Sequence, residues 1–286
     1  MCICFIILHY RKVEETAGCI DSILRMNGNG RIQIVVVDNS PDDNSGQMIK
    51  AQYDRYENIC VIPSEENAGF SRGNNIGYRY ALKRFNPDFI VAANNDIEFL
   101  QPDFIELLEE AYHRTHFAVL GPDVIHVATG GHQSPIDIRL RTVEEAERTI
   151  RKNRIALKFS GILYPFLNLA LSGIYENNVG GLPIDYEGQH EKVVPLGACL
   201  IFSREFINIC ENAFYPETEF FYEEYILACR CERLGLKVVY DPTIKIRHES
   251  GAATKKSHKD MKKRVQFILS NTMKSCQVYL DTLSAD

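Results

Sequence analysis

The sequence predicts an α/β fold, in which a mostly parallel central sheet is flanked by helices. Apolar runs at residues 2–8 and 32–37 have the length of interior strands and carry no charge. Between them, residues 13–24 repeat apolar side chains at helical spacing after an acidic first turn. A strand, a helix and a strand in this order form a parallel unit. At 286 residues, the chain can bury a large core as a single domain.

The same alternation continues to about residue 120. Residues 59–62 and 89–93 predict two further strands, and helices are expected near residues 47–54 and 71–85. The first 120 residues therefore have the pattern of a Rossmann-like half-sheet.

After Gly121 and Pro122 the alternation stops. Residues 126–193 combine loops, a charged helix near 143–154 and an uncharged stretch at 159–175 that glycines and a proline interrupt, so we interpret them as an insertion beside the cleft. Order then resumes. The expected elements are a strand at 194–202, helices near 204–212 and 223–234, strands at 237–240 and 245–248, and a tail helix near 257–280.

The composition limits the classes of function. A net charge of -6 argues against a nucleic-acid-binding protein, which would carry a basic footprint. Nine cysteines are scattered without a CxxC pair, as expected for reduced core thiols in a cytosolic protein. The N-terminal apolar run lacks the basic start of a signal peptide, and no uninterrupted apolar run approaches the roughly 20 residues that span a bilayer. We therefore expect a cytoplasmic protein.

A carboxylate follows the predicted strand at residues 89–93, in the sequence Asn94-Asn95-Asp96. The carboxyl ends of strands are where open α/β sheets bind their ligands. Mg²⁺ takes one or two protein carboxylates and completes its shell with phosphate oxygens and water, so one acid is sufficient for a metal-bound phosphate. The alternative is a strand-to-helix turn in which the polar residues only cap the next helix.

Polar residues also follow the second and third predicted strands. Asp38 ends the second strand, where a carboxylate can accept hydrogen bonds from a nucleobase or a ribose, or can form a turn before Pro41. The third strand leads into residues 67–77, which contain three glycines among amide and basic side chains. Such a loop at a helix start suits an anionic ligand.

The motifs, taken together, resemble those of a known family. They run in the order VVVDNSPDDNS, NAGFSRGNNIG, NND, LGACLIF and FFYEEYILACRCERLGLKVVYDPTIKIRHESG. This order is similar to that of the family 2 glycosyltransferases with the GT-A fold, and most similar to the rhamnosyltransferase-like branch that builds bacterial surface polysaccharides. The resemblance covers residues 3–125 and 194–251.

The resemblance implies a binding site for the nucleotide of a sugar donor. His9 and Tyr10 would line the nucleobase pocket, and Asp38 would contact the base. The segment beside the nucleoside would contribute the following residues: Asn67, Gly69, Phe70, Arg72 and Asn74.

It also implies a metal site that takes Mn²⁺ or Mg²⁺. Asn94, Asn95 and Asp96 match the DXD-type motif, with Asn in place of its first acid, so that Asp96 is the expected ligand. His248 matches a histidine that completes the metal shell in some relatives, and imidazole would suit Mn²⁺ better than Mg²⁺. The alternative for His248 is a strand-end histidine bonded to backbone.

A catalytic base is implied next. Glu223 and Glu224 stand where the family has a Glu-Asp pair, whose second member is the base that deprotonates the acceptor hydroxyl. The Asp-to-Glu change at Glu224 lengthens that side chain, so the choice between the two glutamates stays open, and an ordinary acidic first turn is the alternative. Adjacent helical residues diverge by about 100°, so the pair cannot flank one glycosidic bond as a hydrolase requires.

The resemblance therefore implies inverting transfer of a sugar, from dTDP-rhamnose or a UDP-sugar, to a polyprenyl-diphosphate-linked saccharide in capsule, O-antigen or exopolysaccharide synthesis. The alternative is a non-catalytic nucleotide-sugar-binding protein or scaffold of the same fold. We divide the chain into a catalytic domain at 1–254 and a basic tail at 255–286. Within the domain, residues 1–125 would bind the nucleotide sugar, 126–193 are the insertion, and 194–254 form the acceptor and catalytic half.

The tail begins with a basic cluster in an otherwise acidic chain. Its members are Lys255, Lys256, Lys259, Lys262, Lys263 and Arg264. Together with the uncharged stretch at 159–175, this cluster could hold the protein at the inner face of the cell membrane. The alternatives are a solvated helix packed on the sheet and a homodimer contact.

Overall fold

The computed structural model describes residues 1–177, 184–218, 220–249 and 261–284. The first half of the chain alternates strands and helices, as predicted. Its elements are β1 (Ile3–His9), α1 (Val13–Leu24), a 3₁₀ turn (Asn29–Arg31), β2 (Ile32–Asp38), α2 (Ser45–Gln52), β3 (Ile59–Pro63), α3 (Gly69–Phe85), β4 (Phe89–Asn94), β5 (Ile97–Phe99), α4 (Phe104–Thr115) and β6 (Val119–His126).

The second half is more irregular and richer in helix. Its described elements are α5 (Val143–Asn177), β7 (His190–Glu191), β8 (Cys199–Ser203), α6 (Arg204–Ile207), α7 (Glu223–Arg233), β9 (Val238–His248) and α8 (Met261–Ser284). Across the described ranges, every helix is too short or too polar to cross a bilayer.

The strands of the described chain form one mixed sheet in the order β3-β2-β1-β4-β8-β6-β9-β5, with β7 also paired to β9. The four strands from β3 to β4 are parallel. β8 is antiparallel to both β4 and β6, and β6 and β9 are parallel to each other. The α/β class with a central sheet between helices is thereby confirmed.

Both faces of the sheet are covered, which explains why the strands are continuously apolar. Along β1, Phe5 faces a core that includes residues of α1 and α4, while Ile6 faces a second core that includes residues of α3 and α7. A third cluster joins the start of α5 to α7 and α8 around Tyr222 and Tyr279.

The structure corrects the expectation for residues 143–175. One helix, α5, spans both the charged segment and the uncharged stretch, and it continues through Pro165. A proline inside a helix costs about 3 kcal/mol locally, but packing of the helix against its neighbours can outweigh this cost. α5 packs along α8, where Gln266 donates a hydrogen bond to Ser160 over 3.2 Å.

Other element boundaries also differ from the prediction. The strand expected at 194–202 begins only at Cys199, and the helix expected at 204–212 ends at Ile207. The two strands expected at 237–248 are one strand, because residues 242–244 form an irregularity opposite β6 without ending the pairing. The tail helix is confirmed for residues 261–284, while Lys255, Lys256 and Lys259 lie outside the described residues.

Candidate active site

The ends of β1, β2 and β4 lie together at one edge of the sheet. The parallel register pairs His9 with Asp38, and Leu8 with Asn94. Because side chains at the carboxyl ends of parallel strands share one edge, the predicted donor-binding and metal-binding residues are neighbours there.

Asp96 faces His248 across a short antiparallel pair that the sequence analysis missed. Asp96 lies in the turn between β4 and β5, and β5 pairs with β9 so that Ile97 is opposite His248. Asp96 Oδ1 lies 3.3 Å from His248 Nε2, and the two side chains are only 8% and 9% exposed. The structure thus brings together the two residues that the resemblance assigned to a metal.

Gln133 holds the other side of the His248 ring. Its amide oxygen lies 3.0 Å from His248 Nδ1, and both side chains are buried. An amide oxygen only accepts hydrogen bonds, so Nδ1 carries a proton and donates it to Gln133, and Nε2 is directed at Asp96. Gln133 belongs to the segment at 126–193, and no motif in the sequence pointed to it.

The charge state of Asp96 follows from its surroundings. Burial alone would raise the pKa of this carboxyl, but the hydrogen bond and charge of His248, together with the charge of Lys12, lower the pKa below its usual range. Asp96 is therefore held as a carboxylate in spite of its burial.

A carboxylate oxygen and an imidazole nitrogen that face each other suit a divalent cation, and Gln133 orients the imidazole as outer ligands do in metal sites. Within the described residues, no three His, Cys, Asp or Glu side chains converge on one point. A cation at Asp96 and His248 would therefore take its other ligands from phosphate oxygens and water.

Glu224 is connected through one loop to the turn that contains Asp96. Its Oε1 accepts a hydrogen bond from the Gly197 amide over 3.1 Å. A Cβ atom at Gly197 would lie 2.9 Å from that oxygen, so the close approach depends on glycine. The backbone carbonyl of the next residue, Ala198, accepts a hydrogen bond from the backbone N–H of Asn94 over 2.8 Å. Glu224 and the Asn94-Asn95-Asp96 turn are thus connected through two residues of one loop.

The two glutamates at the start of α7 differ in their surroundings. Glu223 is buried, and among the described residues its Oε2 has no hydrogen-bond partner. Burial and the neighbouring charge of Glu224 raise the pKa of Glu223 well above its usual range. Burial also raises the pKa of Glu224, although its own amide and that of Gly197 oppose the rise. Glu224 is only partly buried, so it is the more accessible of the two.

His9 differs from the expectation that it lines the nucleobase pocket. The side chain is fully buried, with Nδ1 2.7 Å from the Thr16 hydroxyl and Nε2 2.8 Å from the Ser45 hydroxyl. Burial lowers the pKa of His9, although Asp38 and Asp43 oppose this effect. The ring therefore joins the starts of α1 and α2 inside the protein. Its neighbour Tyr10 is only partly buried.

The Thr16 hydroxyl extends this buried network to the other side of the site. It accepts a hydrogen bond from the Asn95 amide group over 3.1 Å. His9, Thr16 and Asn95 therefore link the region of Asp38 to the turn that precedes Asp96.

Asp38 and the loop after β3 are held by turn hydrogen bonds. Asp38 Oδ1 accepts from the Ser40 amide over 3.0 Å, which is the turn geometry that was the alternative for this residue, and the side chain stays partly exposed. A Cβ atom at Gly46 would lie 1.9 Å from Asp38 Oδ2, so glycine leaves room for the carboxylate. Asn67 accepts from the amide of Gly69, which has a left-handed φ of 71°.

The segment that was expected beside the nucleoside is divided between exposed side chains and side chains that pack inside the protein. Asn67 and Arg72 are exposed. Phe70 packs against Phe214 with 5.0 Å between ring centroids, and Asn74 is buried and donates to the Phe70 carbonyl. Phe70 and Asn74 therefore support the start of α3, in contrast to the expectation that all of these residues face a nucleotide.

The family profile described as "Glycosyl transferase family 2" matches residues 4–168, more than half of the chain. The chain belongs to the family 2 glycosyltransferases. This confirms the family assignment made from the five motifs, while the match does not distinguish one branch of the family from another.

One relative of this family 2 chain is the low-salt glycan biosynthesis hexosyltransferase Agl10 of Haloferax volcanii. The two are 30% identical over 121 residues, which is 42% of this chain and 36% of the relative. The chain therefore matches about a third of that relative's length.

Solved structures support the GT-A fold of this family 2 chain. TarS of S. aureus, solved as residues 1–349, aligns with a TM-score of 0.56 at 12% identity, over 99% of this chain and 70% of that one. GalNAc-T7, solved with UDP, GalNAc and Mn²⁺, aligns with a TM-score of 0.59 at 12% identity, over 87% of this chain and 44% of that one. At these identities the likeness concerns the fold alone, and it confirms the predicted fold.

Proposed function

We propose that this protein is an inverting glycosyltransferase that moves a sugar from a nucleoside-diphosphate sugar to a hydroxyl of a saccharide acceptor. The observation that carries the proposal is the position of Glu224. In a family 2 chain, this partly accessible carboxylate is held by the Gly197 amide, one residue from the carbonyl that binds the Asn94-Asn95-Asp96 turn. A base and a diphosphate-binding group are the two elements that direct displacement at a sugar carbon requires.

In the proposed reaction, Glu224 accepts the proton of the acceptor hydroxyl. The acceptor oxygen attacks the anomeric carbon of the donor sugar as the bond from that carbon to the diphosphate oxygen breaks. A single displacement of this kind inverts the anomeric configuration. The raised pKa of Glu224 makes it a stronger base than an exposed glutamate, which favours proton transfer near neutral pH.

Asp96 and His248, whose Oδ1 and Nε2 lie 3.3 Å apart, are the residues that would hold a divalent cation, Mn²⁺ or Mg²⁺. A bound cation would neutralise the charge that develops on the departing diphosphate. Gln133 would keep His248 in the tautomer that presents Nε2. GalNAc-T7, which shares the fold, was solved with UDP and Mn²⁺, and this observation supports the same class of cofactor here.

The donor is proposed to be dTDP-rhamnose or a UDP-sugar, bound near Tyr10, Asp38, Asn67 and Arg72. In this proposal residues 1–125 bind the donor, residues 194–254 supply the base, and residues 126–193 border the acceptor. The acceptor would be a polyprenyl-diphosphate-linked saccharide of capsule, O-antigen or exopolysaccharide synthesis, used at the inner face of the membrane. The motif order of the rhamnosyltransferase-like branch supports these finer assignments.

The test combines donor binding with product analysis. A thermal-shift screen of nucleotide sugars, with and without Mn²⁺, identifies the donor, and NMR of the product gives the anomeric coupling. We expect Mn²⁺-dependent stabilisation by one donor and an inverted product. A retained configuration would contradict the mechanism, and donor binding without any turnover would favour a non-catalytic nucleotide-sugar-binding protein.

A further inference from the structure

The middle of α5 exposes a row of large apolar side chains. Ile155, Phe159, Ile162 and Phe166 are 59%, 54%, 82% and 75% exposed. They are separated by four, three and four positions along the helix, so they form one stripe on one face. We call these four residues the apolar stripe. Exposed apolar patches of this kind mark interaction surfaces.

Basic side chains surround the apolar stripe. Between residues 148 and 175 the sequence has five basic residues and no acidic one. The five are Arg148, Arg151, Lys152, Arg154 and Lys158, all of them exposed. Arg151 lies 3.3 Å from Glu147 across one helical turn, so part of its charge is offset.

The start of α8 adds to the same surface. Lys262 and Lys263 are exposed, and the Lys262 ammonium lies 3.9 Å from the place of a Cβ atom at Gly161. Arg264 is 3.4 Å from the Asn168 side-chain oxygen. The basic start of α8 therefore adds positive charge beside the middle of α5, on a chain whose net charge is -6.

Charge decides between the two kinds of partner that could cover this surface. The spacing of the apolar stripe would also suit a coiled coil with a second copy, but paired helices need complementary charges beside the stripe, and here the flanks carry one sign. An anionic bilayer matches both features, because apolar side chains enter the boundary of the acyl chains while lysines and arginines bind the headgroups. We propose that the apolar stripe and its basic flanks bind an anionic lipid surface.

The location of α5 relates this surface to the candidate active site. Ala146 and Ile150, near the start of α5, pack in the same cluster as Tyr222 and Tyr225, which border the two glutamates. The helix that binds lipid is thus fixed on the segment that begins α7. Lipid binding itself does not require the proposed reaction, so the two can fail separately.

Vesicle co-sedimentation of the full chain tests the proposal. One set of vesicles contains phosphatidylglycerol mixed with phosphatidylcholine, and the other contains phosphatidylcholine alone. We expect binding to the anionic vesicles that weakens with salt, because headgroup attraction is screened within about 10 Å at 0.1 M.

Two double variants remove the two parts of the surface. Ile162→Ser with Phe166→Ser shortens the apolar stripe, and Lys152→Glu with Lys158→Glu reverses charge. Each should lower the bound fraction at fixed lipid by about tenfold or more. The matched controls on α2, Met48→Ser and Lys50→Glu, alter exposed residues of the same types and should bind like the wild type.

Three results would overturn the proposal. The first is equal recovery of the wild type in the supernatant with both kinds of vesicle. The second is wild-type binding that neither double variant weakens. The third is a dimer in light scattering that Ile162→Ser with Phe166→Ser converts to a monomer, which would assign the stripe to a second copy. Donor binding, measured by thermal shift, should be the same in all of these variants and reports on the proposed function separately.

Discussion

Two acidic sites at the same edge of the sheet respond to burial in opposite ways. Asp96 is buried beside His248, and the pKa of its carboxyl is lowered. Glu223 is buried and the adjacent Glu224 is partly buried, and the pKa of both carboxyls is raised. Burial raises the pKa in each case, so the neighbours decide the outcome: the interaction with His248 stabilises the charged form of Asp96, whereas the charge of Glu224 destabilises the charged form of Glu223.

This difference matches two chemical tasks. A group that binds a divalent cation must stay ionised, whereas a base is most effective when its pKa approaches the working pH. The two sites are separated by only two loop residues, Gly197 and Ala198, which hold Glu224 on one side and the Asn94 amide on the other. The comparison therefore yields separate predictions for each acid.

The largest expected effect is that of Asp96→Asn. This change keeps the size of the side chain and removes its charge, so Mn²⁺ should no longer increase the stabilisation by donor. A cation supplies several kcal/mol of charge stabilisation, so turnover should fall by about 10³-fold or more. Glu98→Gln, a half-exposed acid on β5, is the control and should retain activity. Full activity of Asp96→Asn, or of the wild type in excess chelator, would refute the metal assignment.

The next largest effect is expected for Glu224→Gln. The amide oxygen can still accept the Gly197 hydrogen bond, so the fold and donor binding should persist. Turnover should fall by about 10²–10⁴-fold, the usual contribution of a general base. Initial rates and a donor titration separate the two effects. If Glu223→Gln is the inactive variant instead, the base is the buried glutamate and the assignment is wrong by one residue.

A smaller effect is expected for Gln133→Leu, which removes the acceptor of His248 Nδ1. Loss of such an orienting group lowers metal affinity by about 10–100-fold. Mn²⁺ binding, followed by electron paramagnetic resonance, measures this directly. Gln101→Leu is the control, because Gln101 bonds to the Lys245 amide of the same strand, away from His248. Equal Mn²⁺ affinity in both variants would exclude a positioning role for Gln133.

The strands that carry these acids could be predicted from the sequence, whereas several of the contacts around the acids could not. The parallel strands were predictable because they are continuously apolar and each ends in polar residues. The contact between Asp96 and His248 was suggested by resemblance, but it depends on β5, a strand of three residues that is too short for a periodic pattern. Gln133 follows no motif, and only the pairing of distant segments brings it to His248.

Two other differences also arise from long-range packing. Pro165 and nearby glycines suggested interruptions in residues 159–175, yet contacts with α8 maintain one helix there. His9 occupies a strand end, where resemblance suggested a pocket, but hydroxyls of α1 and α2 enclose both of its ring nitrogens. The local sequence predicts neither the packing of α5 on α8 nor the enclosure of His9, because the residues that make these contacts are distant along the chain.

The smallest expected effect concerns stability and tests the raised pKa directly. Because the folded pKa of Glu223 is raised, its contribution to stability is fully present below the unfolded pKa of about 4.3 and is lost as pH rises through the folded value. Gln at this position never ionises, so Glu223→Gln should melt at a higher temperature than the wild type near neutral pH, and the difference should grow as the pH rises above the unfolded pKa of about 4.3.

Melting curves in chelator, at several pH values, measure this difference. Glu205→Gln, which changes an exposed acid on α6, is the control. Its melting temperature should change with pH in the same way as that of the wild type. If the Glu223→Gln curve is also parallel to the wild-type curve, Glu223 does not hold its proton more tightly in the folded state. The contrast with Asp96 would then rest on a single shifted group, Glu224, whose pKa is raised by burial.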